Sequence, residues 1–219
     1  YAISLTAKSS SIIGGGSDIG EALDVAVYGG VPYVLTHRGV VVFQPGKKGV
    51  QMITADERWG DVQALTVFDG NVYILDSGED HIWKYTATGT GFSDIYQYLA
   101  PDTFPDLEGA QSFAIDGFLW VMKGDTMLQF QYGTPLSFTF SGLDRAFGGG
   151  STIYTSDTEK HLYILDAEHN RLVVFDKKGT YQSQYFWETP LTISDFVVSE
   201  SVRRAFLLTA QGMYTFPIQ

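Results

Sequence analysis

The chain contains no cysteine, which excludes disulfides, thiolate metal sites and a cysteine nucleophile but bears little on compartment. Basic residues are scarce as well: 14 Lys and Arg stand against 25 Asp and Glu, a formal net charge of −11. Nucleic acids and anionic membranes select for basic patches, so neither is expected as a partner. The carboxylates form no run, and their scatter through turns and loops reads as a soluble, self-repelling surface. No apolar stretch approaches the length of a membrane span, so direct membrane insertion is not expected. No signal-peptide pattern is recognisable and the chain opens at Tyr1 without Met, which reads as a processed chain or a domain of a longer, bacterial-type protein. No unit carries a long apolar face of 3.6-residue period.

What the chain does have suits strands. Aromatic residues make up 15%, and 24 glycines supply tight turns. His161 to Phe175 reads as two short strands around the polar turn Asp166 to Asn170, a hairpin pattern that recurs over Asn71 to Tyr85. Five apolar strands align on Val34, Ile74, Val121, Ile164 and Leu207, with steps of 40, 47, 43 and 43 residues. A period of about 43 is that of a four-stranded propeller blade.

Each repeat has an earlier strand (Leu23–Val27, Ala64–Phe68, Ser112–Ile115, Thr152–Thr155, Asp195–Val198) and a later one (Val40–Phe43, His81–Tyr85, Met127–Phe130, Arg171–Phe175, Met213–Phe216). A weaker fourth strand is expected at Gly49–Ile53, Leu136–Phe140 and Gln182–Phe186, and Gly91–Leu99 is read as room for a short helical turn. The expected architecture is an all-β, five-bladed β-propeller in a single domain. Blades fall at about 18–60, 61–107, 108–149, 150–191 and 192–219 plus 1–8. The fifth repeat stops after its third strand, so Tyr1 to Thr6 is expected to complete the last blade and leave no free sheet edge.

The residues Leu162 to Gly179, and in part Val72 to Gly89, resemble the NHL repeat of the YVTN/NHL-type propellers: a strand ending in Asp, a turn with Asn-Arg, a strand, then Phe-Asp-x-x-Gly. The resemblance implies a propeller that binds protein, RNA or small ligands. NHL propellers usually have six blades and bind RNA through a basic face, so this acidic five-repeat chain departs from them.

No G-x-S-x-G, P-loop or H-E-x-x-H motif is present, and no cofactor is implied. His37, His81, His161 and His169 fall in different repeats near hairpin turns, a poor basis for a shared metal site. Asp76, Asp80 and Asp166 lie in turns, where carboxylates accept backbone N–H bonds, a better reading than calcium. First strands line the central channel of a propeller, so their openings mark one mouth. The candidate ligand-binding residues there are Asp24, Asp61, Gln63, Gln111 and Asp195, with Trp59 and Trp187 entering just upstream. One reading has these polar groups satisfying backbone and water; the other has them holding a cation or polyhydroxylated ligand, with a Trp stacking on a sugar. For each Trp taken singly, a wedge between blades is the better reading.

The expected function is a monomeric, non-catalytic interaction module that binds a protein partner or a small polar or glycan ligand. One alternative is a glycoside-processing enzyme using Asp24, Asp61 and Asp195 as acid and base. Another is a structural propeller that docks a neighbouring domain through an exposed apolar patch.

Overall fold

In the computed structural model, residues 2–4, 9–11, 19–43 and 49–219 are described. The chain divides into two compact units, 1–98 and 99–219. Five antiparallel sheets follow one another, one per sequence repeat, and the fold class is the five-bladed β-propeller. A short hairpin precedes them, in which β1 (Ala2–Ser4) pairs with β2 (Ser9–Ser11).

The first unit holds two blades. Blade 1 is β3 (Ala22–Tyr28), β4 (Val31–Thr36), β5 (Gly39–Val42) and β6 (Val50–Thr54). Blade 2 is β7 (Val62–Phe68), β8 (Asn71–Asp76), β9 (His81–Tyr85) and β10 (Tyr96–Gln97). The second unit holds three. Blade 3 is β11 (Ser112–Ile115), β12 (Leu119–Lys123), β13 (Thr126–Gln131) and β14 (Thr134–Leu136). Blade 4 is β15 (Thr152–Tyr154), β16 (His161–Asp166), β17 (Arg171–Asp176) and β18 (Tyr181–Phe186). Blade 5 is β19 (Ile193–Ser199), β20 (Arg204–Thr209) and β21 (Gly212–Pro217).

The middle strands carry near-continuous apolar runs because both of their faces are covered. Val72, Ile74, Leu75 and Ile82 in blade 2, and Leu162, Ile164, Leu172, Val173 and Phe175 in blade 4, have no exposed surface. Each such side chain contributes about 1.5–3 kcal/mol by leaving water. In blade 4 their alternation sends one set into the blade before and the other into the blade after. Ile164 and Val173 thus pack with Trp120 and Met122 of blade 3, while Leu165 and Leu172 pack with Phe196 and Leu207 of blade 5. Ile74 and Trp83 of blade 2 join Leu35 and Val40 of blade 1 in the same way.

Three sequence expectations differ from the structure. Among the described residues Ala2–Ser4 pairs with Ser9–Ser11, and the sheet of the last blade counts three strands. A local hairpin closes a far shorter loop than a pairing across the whole chain, and so costs less entropy. Tyr1, Leu5 and Thr6 lie outside the described residues. The stretch 91–99 forms the two-residue strand β10 in place of a helical turn, with Tyr96 and Gln97 opposite Lys84 and Trp83. Blade 3's fourth strand lies at Thr134–Leu136, earlier than 136–140. A turn with Tyr132 and Gly133 both at positive φ brings it straight back against Gln129–Gln131.

Candidate functional site

The first strands begin irregularly, at matching places in the repeats. Register shifts fall between Ala22 and Asp24, between Val62 and Ala64, and between Ile193 and Asp195. The extra residues are Leu23, Gln63 and Ser194, each just ahead of the residue that opens the strand core. A bulge of this kind bends the strand and re-aims its side chains.

The opening residue ties one blade's first strand to the next. Asp24 accepts the Leu65 N–H at 2.7 Å through Oδ2 and the Val25 N–H at 2.7 Å through Oδ1. In the second unit, Ser112 Oγ accepts the Ile153 N–H at 3.0 Å and donates to the Ile153 carbonyl at 3.3 Å. Leu65 and Ile153 hold the same place in their repeats. Asp195 stays exposed at the opening of β19, where Oδ1 accepts the Phe196 N–H at 2.7 Å. Partial desolvation raises its pKa despite that bond.

The other sequence-predicted residues scatter. Asp61 is exposed, and its main chain is held by the second hairpin: its N–H donates to Asp76 at 2.8 Å, and its carbonyl accepts the Ser77 N–H. Gln63 is half-buried in the β7 bulge, and Gln111 is exposed just before β11. Trp59 packs into the core shared by blades 1 and 2, edge-on to Tyr85, with its indole N–H donating to the Tyr85 hydroxyl at 3.1 Å. Trp187 packs against the core shared by blades 4 and 5 and donates its backbone N–H to the Asn170 carbonyl. Its indole N–H is buried without a partner.

The carboxylates that end the second strands of blades 2 and 4 are fully buried. Asp76 accepts the backbone N–H groups of Gly60, Asp61, Gly78 and Glu79 and the indole N–H of Trp83. Asp166 accepts from Gly148 N, from His169 through its backbone and ring, and from Arg171 Nε at 2.8 Å. Burial opposes its charge, yet the bonds from His169, Arg171 and Gly148 hold its pKa below the usual value. Arg171 also donates to the carbonyls of Arg145 and Ala146. The hairpin thereby anchors the loop running from blade 3 into blade 4. Two of the histidines are occupied too: His161 Nδ1 lies 2.8 Å from Glu200, and His169 Nδ1 lies 2.7 Å from Asp166. Among the described residues, no group of three or more His, Cys, Asp or Glu could hold a metal ion.

A cleft of about 460 Å3 opens in the first unit, between the end of β6, the loop that follows it, and the chain from Phe92 to Ile95. Ile53, Ile95 and Phe92 give it an apolar floor, and Asp56, Arg58, Tyr85, Ser93 and Asp94 supply polar groups. Arg58 holds Asp56 in a two-point pair, Nε to Oδ1 at 2.7 Å and a terminal nitrogen to Oδ2 at 2.8 Å. These bonds, with one from the Arg58 backbone, lower the Asp56 pKa to about 2. Burial pushes the Tyr85 hydroxyl above its ordinary value, so it stays protonated. Having accepted the Trp59 indole N–H, it has its own proton to donate. Sequence reasoning missed this cleft, although Asp56-Glu57-Arg58-Trp59 is the densest charged and aromatic segment between β6 and β7.

No protein-family model and no curated protein matches the sequence. Solved structures do match the fold. A chain of the nidogen/laminin complex aligns with a TM-score of 0.64 at 12% identity, covering 90% of this chain and 76% of its own. A gluconolactonase from Xanthomonas campestris aligns at 0.59 and 16%, covering 87% and 69%. Virginiamycin B lyase from Staphylococcus aureus aligns at 0.52 and 15%, covering 90% and 84%. Likeness at such low identity defines a class by fold alone: the chain is a β-propeller.

Proposed function

We propose that the chain is a non-catalytic binding module that takes a small polyhydroxylated ligand on the face bearing the loops between fourth and first strands. The observation that carries this reading is the cleft beside Asp56 and Arg58. A planar carboxylate–guanidinium pair offers acceptors and donors at the spacing of neighbouring hydroxyls, Tyr85 adds a donor, and Phe92 with Ile53 can cover a sugar's C–H face. Asp56 is held ionised near neutral pH and offers its oxygens as hydrogen-bond acceptors for a ligand's hydroxyls. Asp24, Asp61, Gln63, Gln111 and Asp195 remain proposed contacts at the starts of the first strands.

Titration calorimetry with a panel of mono- and disaccharides tests the reading. Saturable binding that is lost in Arg58→Ala and weakened in Tyr85→Phe is the expected result; unchanged binding in both variants would overturn the assignment to this cleft. A second reading, a glycoside-processing enzyme, is favoured by the raised pKa of Asp195, the property a general acid needs. Turnover of aryl glycosides that disappears in Asp195→Asn would replace the binding module with the enzyme.

A further inference from the structure

The polar groups of the cleft divide into those the protein has already used and those it has not. Ser93 Oγ is spent: it accepts the Thr86 N–H at 2.9 Å and donates to the Asp94 carbonyl at 2.9 Å. Asp56 is nearly filled. Its Oδ1 accepts the Arg58 backbone N–H at 3.0 Å and Nε at 2.7 Å, and its Oδ2 accepts a terminal guanidinium nitrogen at 2.8 Å, so Arg58 balances its charge. The guanidinium also sits over the Trp83 ring, 5.9 Å from the centroid.

Two groups in the same cleft are left over. Tyr85 is only 5% exposed, and its hydroxyl accepts the Trp59 indole N–H, yet among the described residues no acceptor takes its own proton. A desolvated O–H with an unused proton calls for an acceptor on a ligand. Asp94 is the second. It lines the cleft, and among the described residues no cation or N–H meets its carboxylate; only its main-chain carbonyl is engaged, by Ser93. The charged groups of the lining are therefore two carboxylates against one guanidinium, and that guanidinium is held by Asp56.

We infer that the ligand of this cleft carries a protonated amine beside its hydroxyls, as an amino sugar does, with the ammonium on Asp94 and a ligand oxygen accepting from Tyr85. The inference rests on the cleft being the ligand site proposed above, and it names the class of ligand within it. A metal ion would need more ligands than are gathered there, since no group of three or more His, Cys, Asp or Glu among the described residues could hold one. An acidic sugar would bring a third carboxylate up to the two already present. The net charge of −11 favours the approach of a cation.

Titration calorimetry at about pH 6, where the amine is protonated, tests this with glucosamine, glucose, N-acetylglucosamine and glucuronate. Glucosamine should bind tighter than glucose by roughly fivefold or more, because a charge-assisted hydrogen bond exceeds a neutral one. N-acetylglucosamine, whose nitrogen carries no charge, should lose that advantage, and glucuronate should bind weakest. Raising the salt concentration should shrink the advantage, and Asp94→Asn should bring the ratio of glucosamine to glucose affinity close to one. An advantage that survives Asp94→Asn would belong to the overall charge of the chain and would overturn the assignment. Equal binding of glucose and glucosamine, both lost in Arg58→Ala, would overturn this inference and leave the cleft reading standing. No binding of any of the four sugars, or binding indifferent to Arg58→Ala, would remove both.

Discussion

Two Arg–Asp pairs in this chain have nearly the same bond lengths and opposite roles. Arg171 and Asp166, in blade 4, are sealed, with side-chain exposures of 1% and 0%. Arg58 and Asp56, in the loop between blades 1 and 2, stand at 52% and 25%. The buried pair has no contact with solvent to exchange for a ligand, and every donor and acceptor around it is committed to holding the hairpin and the loop from Arg145 to Gly148. The exposed pair stabilises little, because water and ions screen it, and is therefore free to meet a ligand. Environment, not chemistry, separates the pair that serves the scaffold from the pair proposed to meet a ligand.

The sharpest test of that contrast is removal of one partner. Asp166→Ala should cost about 3–5 kcal/mol in urea unfolding, because Arg171 is left as a buried cation with only the exposed Asp144, 3.8 Å away, to balance it. Replacing both, as Asp166→Ala with Arg171→Met, should recover a substantial part of the loss. A double variant no more stable than Asp166→Ala would show that the backbone bonds, not the charge, dominate. Asp76 occupies the same place in blade 2 with neutral donors only, so Asp76→Ala should cost about 2–3 kcal/mol, with no cation whose removal could compensate.

The glycines under these hairpins sharpen the comparison next. A Cβ on Gly148 would lie 2.6 Å from Glu168 Cβ, whereas one on Gly60 would lie 2.8 Å from Glu79 Cγ, further out on a flexible side chain. Gly148→Ala should therefore destabilise by about 1–3 kcal/mol and Gly60→Ala by less, measured as a larger fall in melting temperature for the former.

Acid titration separates Asp166 from Asp195. The native pKa of Asp166 lies below its unfolded value, so its contribution is fully present above the unfolded pKa of about 3.9 and is lost as pH falls through the native one. Asp166→Asn should flatten the acid limb of stability against pH. Asp195 is raised, so its ionisation weakens the fold once pH climbs past the unfolded value. Asp195→Asn should stabilise the protein modestly at pH 7 and not at pH 3, and an equal gain at both would remove the desolvation account. The smallest effect belongs to the exposed pair: a double-mutant cycle on Asp56 and Arg58 should show a coupling far below that of the buried pair, since solvent screens it. A coupling as large as the buried pair's would break the distinction drawn between the two pairs.

Much of the fold was legible because the repeat is written in side chains that must be apolar. Val34, Ile74, Val121, Ile164 and Leu207 all lie in middle strands covered on both faces, so their spacing reported the blade directly. The weak fourth strands were read less well, since β10 and β14 have few buried residues to mark them. Of the candidate site, local pattern located the openings of the first strands but not what Asp24 is used for. Its bond to Leu65 crosses 41 positions and leaves no trace in local pattern. The cleft was missed for a similar reason: Asp56 and Arg58 announce themselves as a turn, and Phe92 and Ile95 reach them only when the two blades stack.

The sequence by itself determined the all-β class, the blade period, the number of repeats and the hairpins whose aspartates end the second strands. Local hydrogen-bonding chemistry and alternation of apolar residues specify those without reference to distant parts of the chain. Tertiary structure alone decided which carboxylate is buried and which exposed, which indole finds a partner, and where a cleft is left between packed sheets. Burial and pairing between strands are properties of neighbours brought together by folding, and no residue type encodes its neighbours.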